Sequence, residues 1–221
     1  MRAVAAILLG VVLLGACSDG TPEVTLPPPA EGAEEAVTRW LDAVGRVDLD
    51  ELRVVVEPRG VAILLGLENR LDGSEMLALI DQGVPEETLQ SYWSSFRADF
   101  EAFALDGIAT IDLGTAFPFT VRDQLFAAVP ATGAEGGTTE IIAAEVNGYW
   151  RVDFMATFGP GFVRALGSFF ADDTAVVRSI AAMVNVPLRA GMSREPGDEI
   201  TDELAAEIDV LLVRLDDLVN Q

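Results

Sequence analysis

The chain has no histidine, no lysine and one cysteine, Cys17, so all 14 of its basic residues are arginine. These gaps remove whole classes of chemistry. Without histidine there is no Ser-His-Asp or Cys-His relay. Without lysine there is no Schiff base, no serine–lysine pair and no P-loop. Without histidine or a spare thiol there is no ordinary zinc site. Basic charge is scarce overall: 36 acidic groups leave a net charge of −22, which argues against a nucleic-acid partner, whose binding depends on neutralised phosphates. Long apolar runs are scarce too. A spanning helix needs about 20 apolar residues, whereas Val61 to Leu67 is short and Phe162 to Leu188 is interrupted by Arg164, Asp172, Asp173 and Arg178.

What is present begins with an N-terminal secretory layout: Arg2 supplies one positive charge, Ala3 to Leu14 is almost wholly aliphatic, and Gly15 and Ala16 are small. As a helix, Ala3 to Ala16 would rise only about 21 Å, too little for a bilayer core of about 30 Å. The run Leu14 Gly15 Ala16 Cys17 has the spacing of a lipobox. At these residues the chain resembles the bacterial lipoprotein precursors. That resemblance implies cleavage between Ala16 and Cys17, diacylation of the Cys17 sulfur and an extracytoplasmic position on a cell membrane. Two acyl chains anchor stably by themselves. Removing residues 1–16 takes away one arginine and no acid, so the mature body is repelled by anionic headgroups. Ser18 to Gly32, with Pro22, Pro27, Pro28 and Pro29, reads as an extended tether, with a reach of roughly 45 Å in a polyproline II conformation.

The chemistry left open is that of carboxylates, and no acidic cluster has a metal or catalytic signature. Asp48 Leu49 Asp50 Glu51 lacks the central glycine and spaced acid of a calcium loop. No Asp-Thr-Gly, Asp-Ser-Gly or G-x-S-x-G motif occurs. No metal site and no cofactor are expected.

Beyond the tether, helical spacing covers Ala36, Val37, Trp40, Leu41 and Val44, and two short helices are expected over Leu52 to Val56 and Val61 to Leu67, with strand left open for the β-branched run Val54 to Val56. Ser74 is read as the cap of a helix ended by Gly83. Pro85, Glu86 and Glu87 open a helix whose Leu89, Trp93, Phe96, Phe100 and Phe103 form an aromatic stripe. From residue 108 the period becomes strand-like, with strands expected over Ile108 to Leu113, Ala116 to Val121, Leu125 to Val129, Thr139 to Val146 and Tyr149 to Ala156. Asn147 Gly148 predicts a type I′ hairpin in which Val146 faces Tyr149 and Glu145 faces Trp150. Ile141, Ala143, Glu145, Trp150, Val152 and Phe154 then share the better core face. Glu145 is the carboxylate to single out, because burial would raise its pKa. Helices follow over Phe162 to Phe170, Thr174 to Val184 (closed by Pro187) and Thr201 to Val219.

The fold class is therefore α+β: N-terminal helices packed on a curved antiparallel sheet of about five strands, followed by C-terminal helices. Residues 33–157 form the α+β domain, and residues 158–221 are a helical region expected to pack on it. Helices followed by a sheet that ends in Asn147 Gly148 Tyr149 Trp150 Arg151 Val152 resemble the nuclear-transport-factor-like, or cystatin-like, α+β class. Enzymes of that class imply an acid and a tyrosine between helix and sheet, but no motif here carries those roles to particular residues.

Three functions are weighed: a lipid-anchored binding or interaction module of the cell envelope, without catalysis; a carrier or sensor of a small apolar ligand; and a carboxylate-dependent enzyme. The candidate ligand cavity is Leu89, Trp93, Phe96, Phe100, Glu145 and Trp150. Partners are the membrane, through the lipid, and an envelope protein or small apolar ligand. The anchor is directly testable: Cys17→Ala should abolish both fatty-acid labelling and membrane fractionation, and persistence of both would remove the lipobox reading.

Overall fold

In the computed structural model, residues 26–103, 108–133, 137–192 and 202–221 are described. Ala16, Cys17 and most of the tether lie outside them, as does the side chain of Phe103. Helix α1 (Ala33–Arg46) carries Glu34 and Glu35 in its first turn and Arg46 in its last, complementing the helix dipole. Val47 at φ 53° closes it, and the Asp48 N–H reaches back to the Ala43 carbonyl. The expected stripe is inside: Ala36, Val37, Trp40, Leu41 and Val44 are buried. The segment leading in is also held, because the Trp150 N–H donates to the Ala30 carbonyl (2.9 Å) and Arg39 Nη2 donates to the Pro28 carbonyl (2.7 Å).

Helix α2 (Leu49–Val55) is capped by Asp48 and α3 (Pro58–Glu68) by Glu57, with Pro58 at the first helical position. The β-branched run Val54 to Val56 is shared between two states: α2 ends at Val55, and Val56 is extended and bridges Val152. Helix α4 (Gly73–Gln82) is capped by Asp72, not Ser74. Asp72 accepts the Ser74 and Glu75 N–H groups while Glu75 reaches back to the Asp72 N–H, a reciprocal box that Ser74 cannot make from inside the first turn. Helix α5 (Glu86–Phe103) starts with Glu86 and Glu87 in its first turn, as its sequence predicts.

The sheet is antiparallel throughout: β1 (Asp112–Leu113), β2 (Phe117–Val121), β3 (Gln124–Thr132), β4 (Thr138–Val146) and β5 (Tyr149–Val152). β1 and β2 share one edge of β3, and β4 takes the other. The strand expected over Ile108 to Leu113 shrinks to β1, preceded by a 3₁₀ turn at Ile108–Thr110. Pro130 explains the break. Its carbonyl accepts the Gly114 N–H (2.8 Å) on the shared edge, so its missing N–H leaves the ladder unable to run on from β1 to β2. Asn147 and Gly148 take φ 56° and 84°, and the hairpin register is the predicted one, with Glu145 opposite Trp150 and Val146 opposite Tyr149.

β5 stops four residues earlier than its sequence pattern predicts. Asp153 Oδ1 accepts the Ala156 N–H (2.9 Å) and starts α6 (Phe154–Phe158), a local bond that displaces further strand pairing. A 3₁₀ turn at Gly159–Phe162, α7 (Val163–Phe169), α8 (Ala175–Met192) and α9 (Asp202–Val219) complete the chain. Pro187 does not close α8 but sits within it. It deletes one helical bond, while burial of Val184, Leu188, Ala190 and Gly191 on both sides holds the helix together. Because α8 runs on, both faces of the sheet are covered. Ala127, Val129, Ile141, Ala143 and Val152 join the main core; Phe126, Ala128, Ile142 and Ala144 pack with Ala156 and Ala190. α9 turns Ile208, Leu211, Leu215 and Leu218 inward, and Asp216 ties it down by accepting from Arg122, Asn185 and Arg189.

The closest approach of α8 is at Gly191, where an added Cβ would run into the Ala156 carbonyl. Gly191→Ala should therefore lower unfolding free energy by about 1–3 kcal/mol in urea titrations. Gly45→Ala, in α1 with nothing within 4 Å of the new Cβ, should instead be neutral or stabilising by up to about 1 kcal/mol.

Candidate functional site

Two cavities of opposite chemistry flank α3. The first lies among α2, α3, α4 and the start of α5, has a volume of about 80 Å³, and is walled by Leu52, Val56, Val61, Leu79, Ile80, Val84, Leu89 and Trp93. Arg53 stands at its rim, bonded to Asp50 (3.1 Å) and Glu86 (2.8 Å).

The aromatic stripe of α5 divides at this point. Leu89 and the buried Trp93 wall the cavity, whereas the half-buried Phe96 and Phe100 do not line it and pack on Trp40 instead. Phe96 stacks on Phe100 with ring centroids 5.9 Å apart, and both pack on Trp40, at 6.0 and 6.4 Å. Phe154 and Phe158 complete the cluster. The Trp40 indole N–H, buried among these rings, has no hydrogen-bond partner, and its ring meets Phe154 edge-on, at 84°. Glu145 and Trp150 do not join the cavity: they face each other, half-buried, near the tip of the β4–β5 hairpin. α1 packs against both α5 and β5. Four of the six residues read from the sequence as one cavity therefore lie outside it.

The second cavity, about 140 Å³, is lined by Glu57, Arg59, Gly60 and Ile63 of the α3 start, Gln124, Asp153 and Met155, and Met183, Val186 and Pro187 of α8. Its floor follows from the end of β5. Val56 bridges Val152 and the Glu57 N–H donates to the Val152 carbonyl (2.9 Å), which sets Glu57 beside Asp153. Gly60 lets the two helix starts abut, since a Cβ there would stand 3.1 Å from the Met155 nitrogen and 3.2 Å from Phe154 Cβ. Each start is capped by its own carboxylate: Glu57 Oε2 accepts the Gly60 N–H (3.0 Å) and Asp153 Oδ1 the Ala156 N–H (2.9 Å). Arg59 Nε donates to Glu57 Oε1 (2.6 Å).

Glu57 is 8% exposed and Asp153 only 2%. Burial pushes the Asp153 carboxyl up from 3.8 to about 7, and the Glu57 charge adds to the rise. The backbone N–H groups of Ala156 and Met155, and Arg59, pull the other way. Chemically, this arrangement can hold or release a proton near neutrality and accept hydrogen bonds from a donor. No group of three metal-ligating side chains occurs among the described residues.

Sequence reasoning passed over this pair. The strand pattern Tyr149 to Ala156 takes in Asp153, and Glu57 falls between the two short helices expected over Leu52 to Val56 and Val61 to Leu67. The available signal was local: an acid directly before Pro58, and an acid three residues before Ala156 at the end of an alternating strand, both of which are helix-cap patterns. No known family model, curated protein or solved structure matches the chain.

The raised Asp153 pKa has a defined sign. Between pH 3.8 and about 7 the folded chain keeps a proton that the unfolded chain has released, so stability falls as pH rises through that interval. Asp153→Asn keeps the cap acceptor and removes the titration. Relative to the parent, the variant should gain about 2–3 kcal/mol between pH ~5 and pH ~8 in urea unfolding. A difference that does not move with pH would refute the assignment.

Proposed function

We propose that the protein is a lipid-anchored, extracytoplasmic binding module of a bacterial cell envelope, held through Cys17 and docking a partner protein by one apolar side chain seated in the α2–α5 cavity. The size and walls of that cavity carry this reading. Sites for small molecules typically measure about 300–1,000 Å³, and a cavity of about 150 Å³ is needed for benzene. About 80 Å³ suits a single aliphatic side chain. The same comparison weighs against a carrier of a whole lipid or other small apolar molecule. Among the described residues no helix is long and apolar enough to cross a membrane, so membrane attachment rests on the lipobox.

A carboxylate-dependent enzyme is the second reading, favoured by one observation, the proton-holding Asp153 beside Glu57 in a polar cavity. Glu145, the acid singled out in the sequence, lines neither cavity.

Trp93 is a built-in reporter, 2% exposed on the cavity wall. N-acetyl-leucinamide should change its fluorescence saturably in the full chain, and Ala62→Leu, which adds bulk at another buried residue of the cavity lining, should weaken that response at least tenfold. Palmitate should compete poorly. Stoichiometric palmitate binding that survives Ala62→Leu would replace the docking reading with the carrier.

A further inference from the structure

We propose that the cavity between the α3 and α6 starts is a binding site for a primary ammonium group, with Glu57 and Asp153 as its anionic floor. This cavity is separate from the apolar one, and its floor carries a surplus of acceptors. Glu57 and Asp153 are both more than nine-tenths buried, and each carboxylate has lone pairs beyond those its cap and Arg59 occupy. Met183 and Pro187 line the same space, and proline has no N–H to give to the carbonyl four residues back, so the Met183 carbonyl lacks its helical donor. Gln124 adds an amide oxygen at the rim. The donor side is poor: Arg59 is the only cation among the described residues of the lining, and its Nε is already committed to Glu57.

Size and ligand count select among cations. Two carboxylates fall short of the six to eight oxygens that calcium takes. A space of about 140 Å³ is close to the cavity that holds benzene, large enough for an ammonium head with a short carbon stem. Three N–H donors match the three acceptors on the floor and on α8. The single positive charge offsets the charge of the second carboxylate, whose ionised form burial otherwise disfavours.

Proton balance follows. When R–NH₃⁺ docks, the Asp153 carboxyl gives its proton to solvent, and no covalent bond changes. The charged groups facing Asp153 are Glu57 and Arg59; β3 and α8 present Gln124, Met183, Val186 and Pro187, none of which titrates. Binding should therefore tighten about tenfold between pH ~6 and pH ~8, as Asp153 passes from mostly protonated to mostly ionised while the amine keeps its charge.

The test is calorimetric titration of the detergent-purified full chain with ethylammonium chloride at constant ionic strength, near pH 6 and pH 8. Tetramethylammonium chloride, which has the charge but no N–H, is the comparison. The expected result is one saturable site for ethylammonium, about tenfold tighter near pH 8, with buffer-dependent heats reporting a released proton near pH 6. Asp153→Asn should abolish the pH dependence and Glu57→Gln should weaken binding at least tenfold. Equal binding of tetramethylammonium, absence of saturation, or a pH dependence that survives Asp153→Asn overturns the proposal. If the variants do not fold, the two parent-chain comparisons decide it alone.

Discussion

The end of β5 governs the rest of the molecule. Within two residues the chain spends the Val152 carbonyl on the Glu57 N–H, the Asp153 N–H on the Ile142 carbonyl and the Asp153 carboxylate on the Ala156 N–H. The first bond ties the helical layer to the sheet, the second ends the ladder and the third turns the chain into α6. Every side chain of this junction is enclosed, so each backbone polar group must find a partner inside the protein. Gly60 permits the approach and Phe154 carries it into the aromatic cluster around Trp40.

Such a junction concentrates negative charge on buried side chains. A carboxylate can cap a helix start and complement its dipole, but two helix starts in one place bring two carboxylates within reach of each other, and Arg59 hydrogen-bonds to Glu57. Asp153 answers by holding a proton. Polar and apolar cavities then arise on opposite sides of the first turns of α3: Arg59, Gly60 and Ile63 face the polar one beside Glu57, and Pro58, Val61 and Ala62 face the apolar one.

Regular periodicity was legible and its interruptions were not. The buried stripes of α1 and α9 and the register at Asn147 Gly148 follow from spacing, because a helix face or a two-residue turn is determined by residues near in sequence. The failures share a cause: at Asp153, Pro130 and Pro187 a single polar or donor-less residue competes with its neighbours' pattern, and the winner depends on what packs opposite. The extension of α8 past Pro187 illustrates this. The burial of Ala190 and Leu188 against distant elements outweighs one lost bond, and neither residue announces its partner. The candidate cavity was half legible for the same reason. One helix face supplies both Trp93 and Phe96, and only the placement of α1 packs the second on Trp40, away from the cavity.

The lead-in segment has a mechanical side. Upstream of α1 the chain is fastened at two points, the Pro28 carbonyl to Arg39 and the Ala30 carbonyl to the Trp150 N–H. Tension applied from the N-terminal side reaches these clasps before it reaches any helix, and Arg39 shares the load with Glu35 and Glu51. The edge of β5 thus acts as a strain relief: a pull too weak to break the Ala30 bond is taken up at Trp150, two residues before the junction at Val152.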